Sequence, residues 1–267
     1  MGDEENITIQ TGVIIFIKGH KMLWKKPIMS FCFFYVKIKM KTIILLHGAT
    51  GSEVQLQSLR QKLEGSYAIH TLNFSGHGGK PFSKEFSIPF FANELVAFCE
   101  ANQLKEVNIF GYSMGGYVAL YLARHYPHLV TSVVTLGTKL LWDKPIAAKE
   151  VAMMQPEIIE QKFPAFAQSL QQMHSPNDWK ILMTKTSEML TEMGECNPLQ
   201  LEDYEYITAP VLLMLGDRDN MVSLDETVIA YKHLPNSHLA VLPATPHPIE
   251  KVDVEILAFQ INKFIEK

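Results

Sequence analysis

The stretch Val107-Asn108-Ile109-Phe110-Gly111-Tyr112-Ser113-Met114-Gly115 decides how this chain is read. Val107–Phe110 is a short β-rich run. The residues from Met114 to about His125 read as a helix that Pro127 ends, because proline lacks the N–H a helix needs. A glycine two residues to either side of Ser113 lets the backbone turn sharply from strand to helix and permits close packing beneath the turn. Such a turn lifts the serine clear of a sheet. It also places the serine at a helix N-terminus, whose partial positive charge suits a developing oxyanion. The five-residue pattern alone is common. Between a strand and a helix it points to a nucleophile, against the plainer reading of an ordinary turn serine.

A serine hydroxyl needs a base, normally a histidine oriented by a carboxylate. Among ten histidines, His247 stands out in Pro243-Ala244-Thr245-Pro246-His247-Pro248, where two prolines keep it on a loop just after the last strand candidate. The acid candidate is Asp219 in Gly216-Asp217-Arg218-Asp219, with Asp217 as its neighbour and competitor. Both loops follow strands, the edge at which open α/β sheets place their sites. The remaining requirement is an oxyanion hole. The exit of Thr42–Leu46 into His47-Gly48-Ala49 offers the N–H of Ala49, to be paired with that of Met114. His47 and His77 read as structural before chemical, and His125, His128 and His174 as surface or core residues. No two histidines form a convincing metal pair, so neither metal nor cofactor is expected.

Outward from these motifs the chain alternates strands and helices from residue 42 onward. Thr42–Leu46, Ala68–Phe74, Val107–Phe110, Leu129–Leu136, Pro210–Leu215 and His238–Leu242 are the strand candidates. A helix capped by Ser52 carries Leu56, Leu59 and Leu63, a second spans Ile88–Ala101, and one from about Ile249 to Ile265 closes the chain. Short apolar strands in β-then-α order argue for a mostly parallel sheet with helices on both faces. About 70 residues, 138–208, interrupt the rhythm without a clear strand. A structureless loop of that length is unusual in a compact domain, so a helical insertion is expected there. Its methionines (153, 154, 173, 183, 189 and 193) read first as flexible core filler and second as an adaptable pocket lining.

Composition narrows the classes. The chain has 267 residues, 47% of them apolar, and a net charge of −4, which suits one globular domain and leaves no basic footprint for nucleic acid. Three scattered cysteines form neither a disulfide framework nor a zinc pattern, and a reducing, cytoplasmic setting fits. Residues 1–39 form an extension. Residues 1–41 carry seven lysines against three carboxylates, and the apolar runs Val13–Ile17 and Ile28–Val36 are too short to span a bilayer as stable anchors. The extension is expected to be either an added hairpin or a weakly ordered or non-native segment, with the domain proper at residues 40–267. A chain beginning at Met40 is then expected to fold and to keep its activity.

Together, His47-Gly48, the elbow at Ser113, Asp219 and His247 resemble the α/β-hydrolase family, specifically its small esterase and lipase-like members with a helical cap. The resemblance covers about residues 40–267. It implies the α/β-hydrolase fold, with an eight-stranded, mostly parallel sheet and a cap inserted after the sixth strand. The first two strands would have to come from the extension. Relatives usually carry Asp at Asn73, Pro at Ser75 and Ser at Lys80, so the Gly-rich turn departs from the pattern. A serine at 113 argues against the dehalogenase and epoxide-hydrolase branches, which use aspartate there. The implied activity is hydrolysis of a small-molecule ester or acyl substrate through Ser113, Asp219 and His247. Two alternatives stay open. A menaquinone-pathway synthase has a similar elbow but usually carries arginine where this chain has Tyr117. A non-catalytic ligand-binding relative would turn over no activated ester. Oligomeric state is not legible.

Overall fold

The structure, a computed structural model, describes residues 40–266. The extension, with its apolar runs Val13–Ile17 and Ile28–Val36 and the hairpin expected there, lies outside the described residues. Six strands run in the order β1 (Thr42–Leu46), β2 (Ala68–Thr71), β3 (Val107–Tyr112), β4 (Val130–Leu136), β5 (Val211–Gly216) and β6 (Ser237–Leu242). They form one sheet ordered β2-β1-β3-β4-β5-β6, and all five pairings are parallel. The resemblance implied eight strands; six are present among the described residues.

Successive residues of a strand face opposite sides of a sheet, and here both sides are buried. Ile44, Leu46, Ile109, Val133 and Leu213 pack against α2 (Ile88–Ala101), α3 (Met114–His125) and α8 (Leu224–His233). Their neighbours Ile43, Leu45, Phe110, Val134, Leu212 and Met214 pack against α1 (Gln57–Leu63) and α9 (Val254–Ile265), where Leu257, Ile261 and Ile265 form the stripe. Burial on both faces explains why these strands read as continuous apolar runs rather than alternating ones.

The element ends show where local signals compete. Ser52 accepts a hydrogen bond from Val54 N and opens a short 3-10 turn before α1. The second strand stops at Thr71, three residues short of the expected end, and Leu72–Phe74 leads instead into the Gly-rich turn. The last helix starts at Val254 rather than near Ile249, because Asp253 caps it by accepting from Glu255 N and Ile256 N. Between β4 and β5 lie α4 (Lys144–Ala152), α5 (Pro156–Lys162), α6 (Pro164–His174) and α7 (Trp179–Glu195). Of these, α5, α6 and α7 share a small core of Ile159, Leu170, Trp179 and Met183. Met189, Leu190 and Met193 of α7 join the main core instead.

Among the described residues the path starts at β1, moves outward to β2, then crosses back to β3 on the other side of β1. That reversal opens a crevice beyond the carboxyl ends of β1 and β3, the place where such sheets bind ligands.

Candidate active site

Ser113 follows β3 directly and has φ 51°, ψ −116°. This left-handed conformation is costly for a residue with a side chain and is found where surrounding packing imposes it. The packing is visible at the flanking glycines. A Cβ on Gly111 would lie 2.4 Å from the Gly115 backbone, and one on Gly115 would lie 2.6 Å from Leu46 O. Ser113 N donates to Leu136 O at 2.9 Å, and Thr138 Oγ1 donates to Ser113 O at 3.0 Å, so the end of β4 and the loop after it brace the turn.

Asp219 and His247 arrive from the loops after β5 and β6. The Nδ1 of His247 lies 2.7 Å from Asp219 Oδ2. The other carboxylate oxygen accepts from Met221 N and Val222 N, both at 2.9 Å, which fixes its orientation. Burial alone would raise this carboxyl; the hydrogen bonds from His247 and from the Val222 and Met221 N–H groups outweigh it and hold it below the usual carboxylate range. Gly137, with φ 58°, sits beneath the pair, where a Cβ would come within 3.1 Å of Asp219 Oδ2. The hydroxyl of Tyr112 donates to His247 O at 3.1 Å. Asp217 does different work: its Oδ1 accepts from Thr245 N at 3.1 Å, bracing the loop that carries His247. Three residues, Leu136, Gly137 and Thr138, separate Thr135 from Lys139, and within them the fold places the floor of this pair and the brace of the serine turn.

Ser113, His247, Ala49 and Met114 line one pocket. Among the described residues, neither the Ala49 N–H nor the Met114 N–H has a protein acceptor. The rest of the lining is mostly apolar: Ile88, Trp142, Met154, Leu190, Met189 and Met193 among others. The methionine readings divide accordingly. Met183 is core filler, whereas Met154, Met189 and Met193 also face the pocket. Met153 is exposed. The sequence reading missed Lys139 and Glu150. Lys139 Nζ lies 3.7 Å from Glu150 and 3.5 Å from Glu226, all three side chains mostly buried, and Lys139 and Glu150 line the pocket. No periodicity or motif marks them: Lys139 lies just after β4, Glu150 on α4 and Glu226 on α8.

The family is decided by the sequence pattern of the α/β hydrolase fold, which matches residues 41–189. The chain belongs to this family. A pimeloyl-[acyl-carrier protein] methyl ester esterase of Neisseria meningitidis is 24% identical over 248 residues, covering 85% of this chain and 94% of that protein. A Bacillus subtilis protein named "putative 2-succinyl-6-hydroxy-2,4-cyclohexadiene-1-carboxylate synthase" is 25% identical over 250 residues, covering 84% and 90%. Among solved structures, a 2-hydroxy-6-oxo-6-phenylhexa-2,4-dienoate hydrolase of Rhodococcus superposes with a TM-score of 0.72 at 17% identity, covering 85% and 91%. That likeness concerns the α/β-hydrolase fold alone.

Among the described residues no group of three or more His, Cys, Asp or Glu could hold a metal ion, and no helix is long and apolar enough to cross a membrane. His47 and His77 are fully buried beside one another, ring centroids 4.8 Å apart. Burial pushes His77 down to about 4 and His47 well below its ordinary value. In the unfolded chain these rings protonate near pH 6.5, so below that pH the unfolded state binds more protons than the native one. The stability contributed by neutral His77 is therefore complete above about pH 6.5 and lost as pH falls through about 4. Thermal melts across this window should show a melting temperature that falls steadily toward acid. A flat profile would contradict the burial argument.

Proposed function

We propose that the protein is a serine hydrolase that cleaves a carboxylic ester through an acyl-enzyme intermediate. The observation that carries this reading is the 2.7 Å contact between His247 Nδ1 and Asp219 Oδ2 in a loop pair that shares a pocket with Ser113. With Nδ1–H donated to the carboxylate, the ring has its Nε2 free to act as a base. Ser113 Oγ attacks the acyl carbon while His247 takes its proton, and the N–H groups of Ala49 and Met114 receive the negative oxygen. The tetrahedral adduct collapses and the alcohol leaves with the proton from His247. Water, deprotonated by the same ring, then releases the acid and restores Ser113. No cofactor enters these steps.

The inserted helices act as a cap, supplying Met154, Met189 and Met193 to the acyl side of the pocket. Unbranched, polarisable methionines adapt to chains of different shape, so a neutral, apolar acyl group is the expected substrate type. The esterase relative from Neisseria supports this chemistry.

The synthase reading rests on the elbow at Ser113 and on the Bacillus relative, and the pocket argues against it. At the position where an arginine would serve, the Tyr117 hydroxyl is engaged by Leu199 N at 2.9 Å and by Asn197. Lys139, the cation lining the pocket, is already flanked by two carboxylates. An anionic substrate would find little net positive charge there.

A panel of p-nitrophenyl esters of increasing chain length, with the synthase substrate and acyl chains ending in a carboxylate as comparators, tests the proposal. Neutral esters should be turned over and the anionic compounds should not. Turnover confined to the synthase substrate would reverse the two readings, and no turnover at all would favour a binding protein.

A further inference from the structure

The loop that leaves β1 is held by an unusual set of contacts. Its three successive carbonyls each face a different buried histidine. His47 Nδ1 lies 2.8 Å from Gly48 O, His77 Nε2 lies 2.7 Å from Ala49 O, and His174 Nε2 lies 3.1 Å from Thr50 O. All three side chains are fully buried.

The opposite ring nitrogens set the proton positions. Phe74 N donates to His47 Nε2 at 3.3 Å, and Gly78 N donates to His174 Nδ1 at 3.1 Å. A neutral imidazole that accepts on one nitrogen donates from the other. His47 and His174 therefore both donate to the loop. His77 faces a second carbonyl, Ser75 O at 3.0 Å, and its single proton belongs on the shorter contact to Ala49 O.

His47 and His77 come from loops of the sheet itself. His174 comes from the end of α6 in the insertion, 124 residues from Thr50. The segment that follows it is clamped to the Gly-rich turn, where Asn177 Nδ2 donates to Lys80 O at 2.6 Å and to Gly76 O at 3.2 Å. Gly79, with φ 80°, leaves room for Ser175 O, which a Cβ would meet at 2.6 Å.

We propose that His174 is a positioning residue for the oxyanion loop: by donating to Thr50 O from the insertion, it holds the turn that aims the Ala49 N–H at the reacting oxygen. This inference rests on the hydrolase reading above. Thr50 O and the Gly51 N–H share one rigid peptide plane, Gly51 N donates to Gly48 O at 3.1 Å, and Gly48 O shares a second plane with the Ala49 N–H, so the His174 contact bears on where that N–H points. Losing an oxyanion donor outright costs about 10²–10³ in kcat, and a misaimed donor should cost part of that. Seating of the insertion is thereby coupled to transition-state stabilisation.

Two substitutions separate positioning from support. In His174→Asn the side-chain oxygen can still accept from Gly78 N, but nothing reaches Thr50. In His174→Gln the amide can donate to Thr50 O. The expected result on a p-nitrophenyl ester is a fall in kcat of roughly tenfold or more for H174N, a fraction of the oxyanion effect, with KM nearly unchanged. H174Q should regain most of the loss. Affinity for an aryl trifluoromethyl ketone, whose adduct places an oxyanion in the hole, should fall in H174N in step with kcat. Equal losses in the two variants, a loss confined to KM or melting temperature, or an unchanged affinity for the ketone would overturn the proposal. Should H174N fold poorly, ¹⁵N-labelled wild-type protein supplies the measurement. His174 should show a protonated Nε2 and a bare Nδ1, and its signals should shift when the ketone binds; an unshifted signal overturns the proposal. Wild-type protein that neither turns over esters nor is labelled at Ser113 by a fluorophosphonate would overturn the hydrolase reading itself. An active wild type with an unaffected H174N overturns only the role of His174.

Discussion

Replacing Ser113 with alanine is expected to lower kcat on a simple ester by about 10⁴–10⁶-fold, the range in which nucleophile deletions fall in serine hydrolases. The loss should not reflect unfolding. Ser113 holds its place through backbone bonds, its N–H to Leu136 O and its carbonyl to Thr138, and an alanine keeps both. The left-handed φ of 51° is no harder for alanine than for serine. Melting temperature should therefore stay close to that of the native chain while turnover collapses. A fluorophosphonate should label the native protein at Ser113 and leave the variant unmarked. Retention of more than about a tenth of native activity would remove Ser113 from the mechanism, since oxyanion and binding effects alone leave only a small residue of catalysis.

The second large effect separates two neighbouring carboxylates. Asp219→Asn should reduce kcat by about 10⁴-fold, because the amide can donate to His247 Nδ1 and so favours the tautomer whose Nε2 is already protonated. Asp217→Asn should cost no more than about tenfold, on the scale of one weakened hydrogen bond. Its amide oxygen can still accept from Thr245 N, the contact that Asp217 makes with the His247 loop. Both variants keep side chains of nearly the same volume, so packing does not confuse the comparison. Steady-state kinetics on one ester decides it. Equal losses, or a larger loss at Asp217, would mean that the orienting acid has been misassigned.

Most of the sheet was legible from sequence because its signals are local. Val107–Phe110, Thr42–Leu46 and Val130–Leu136 are buried on both faces, and apolar runs bounded by glycine and proline are how such strands appear in one dimension. The helices Ile88–Ala101 and Met114–His125 matched their expected spans because cap, stripe and breaker all lie within the segment. Where expectation and structure part, a nearby group competes. Asp253 supplies a better cap than any residue near Ile249, and the chain beyond Thr71 is drawn into the turn that carries His77.

The site divides along the same line. A strand, a Gly-x-Ser-x-Gly turn and a helix follow one another between Val107 and His125, so the local sequence was enough to put Ser113 on a sharp turn at a helix N-terminus. It also placed Asp217, Asp219 and His247 on loops that follow strands. It favoured Asp219 over Asp217 from position alone, whereas the contact itself depends on how two loops 28 residues apart approach one another. It gave His174 no role, because the partners of that ring, Gly78 and Thr50, lie about a hundred residues away along the chain. Lys139 was silent for a similar reason, since one of its two carboxylate partners, Glu226, lies far along the chain on another helix. Local conformation follows from side-chain shape and backbone preference over a few residues. The pairing of buried polar groups follows only from packing, since each must find a partner wherever the fold brings one within hydrogen-bond or ion-pair reach.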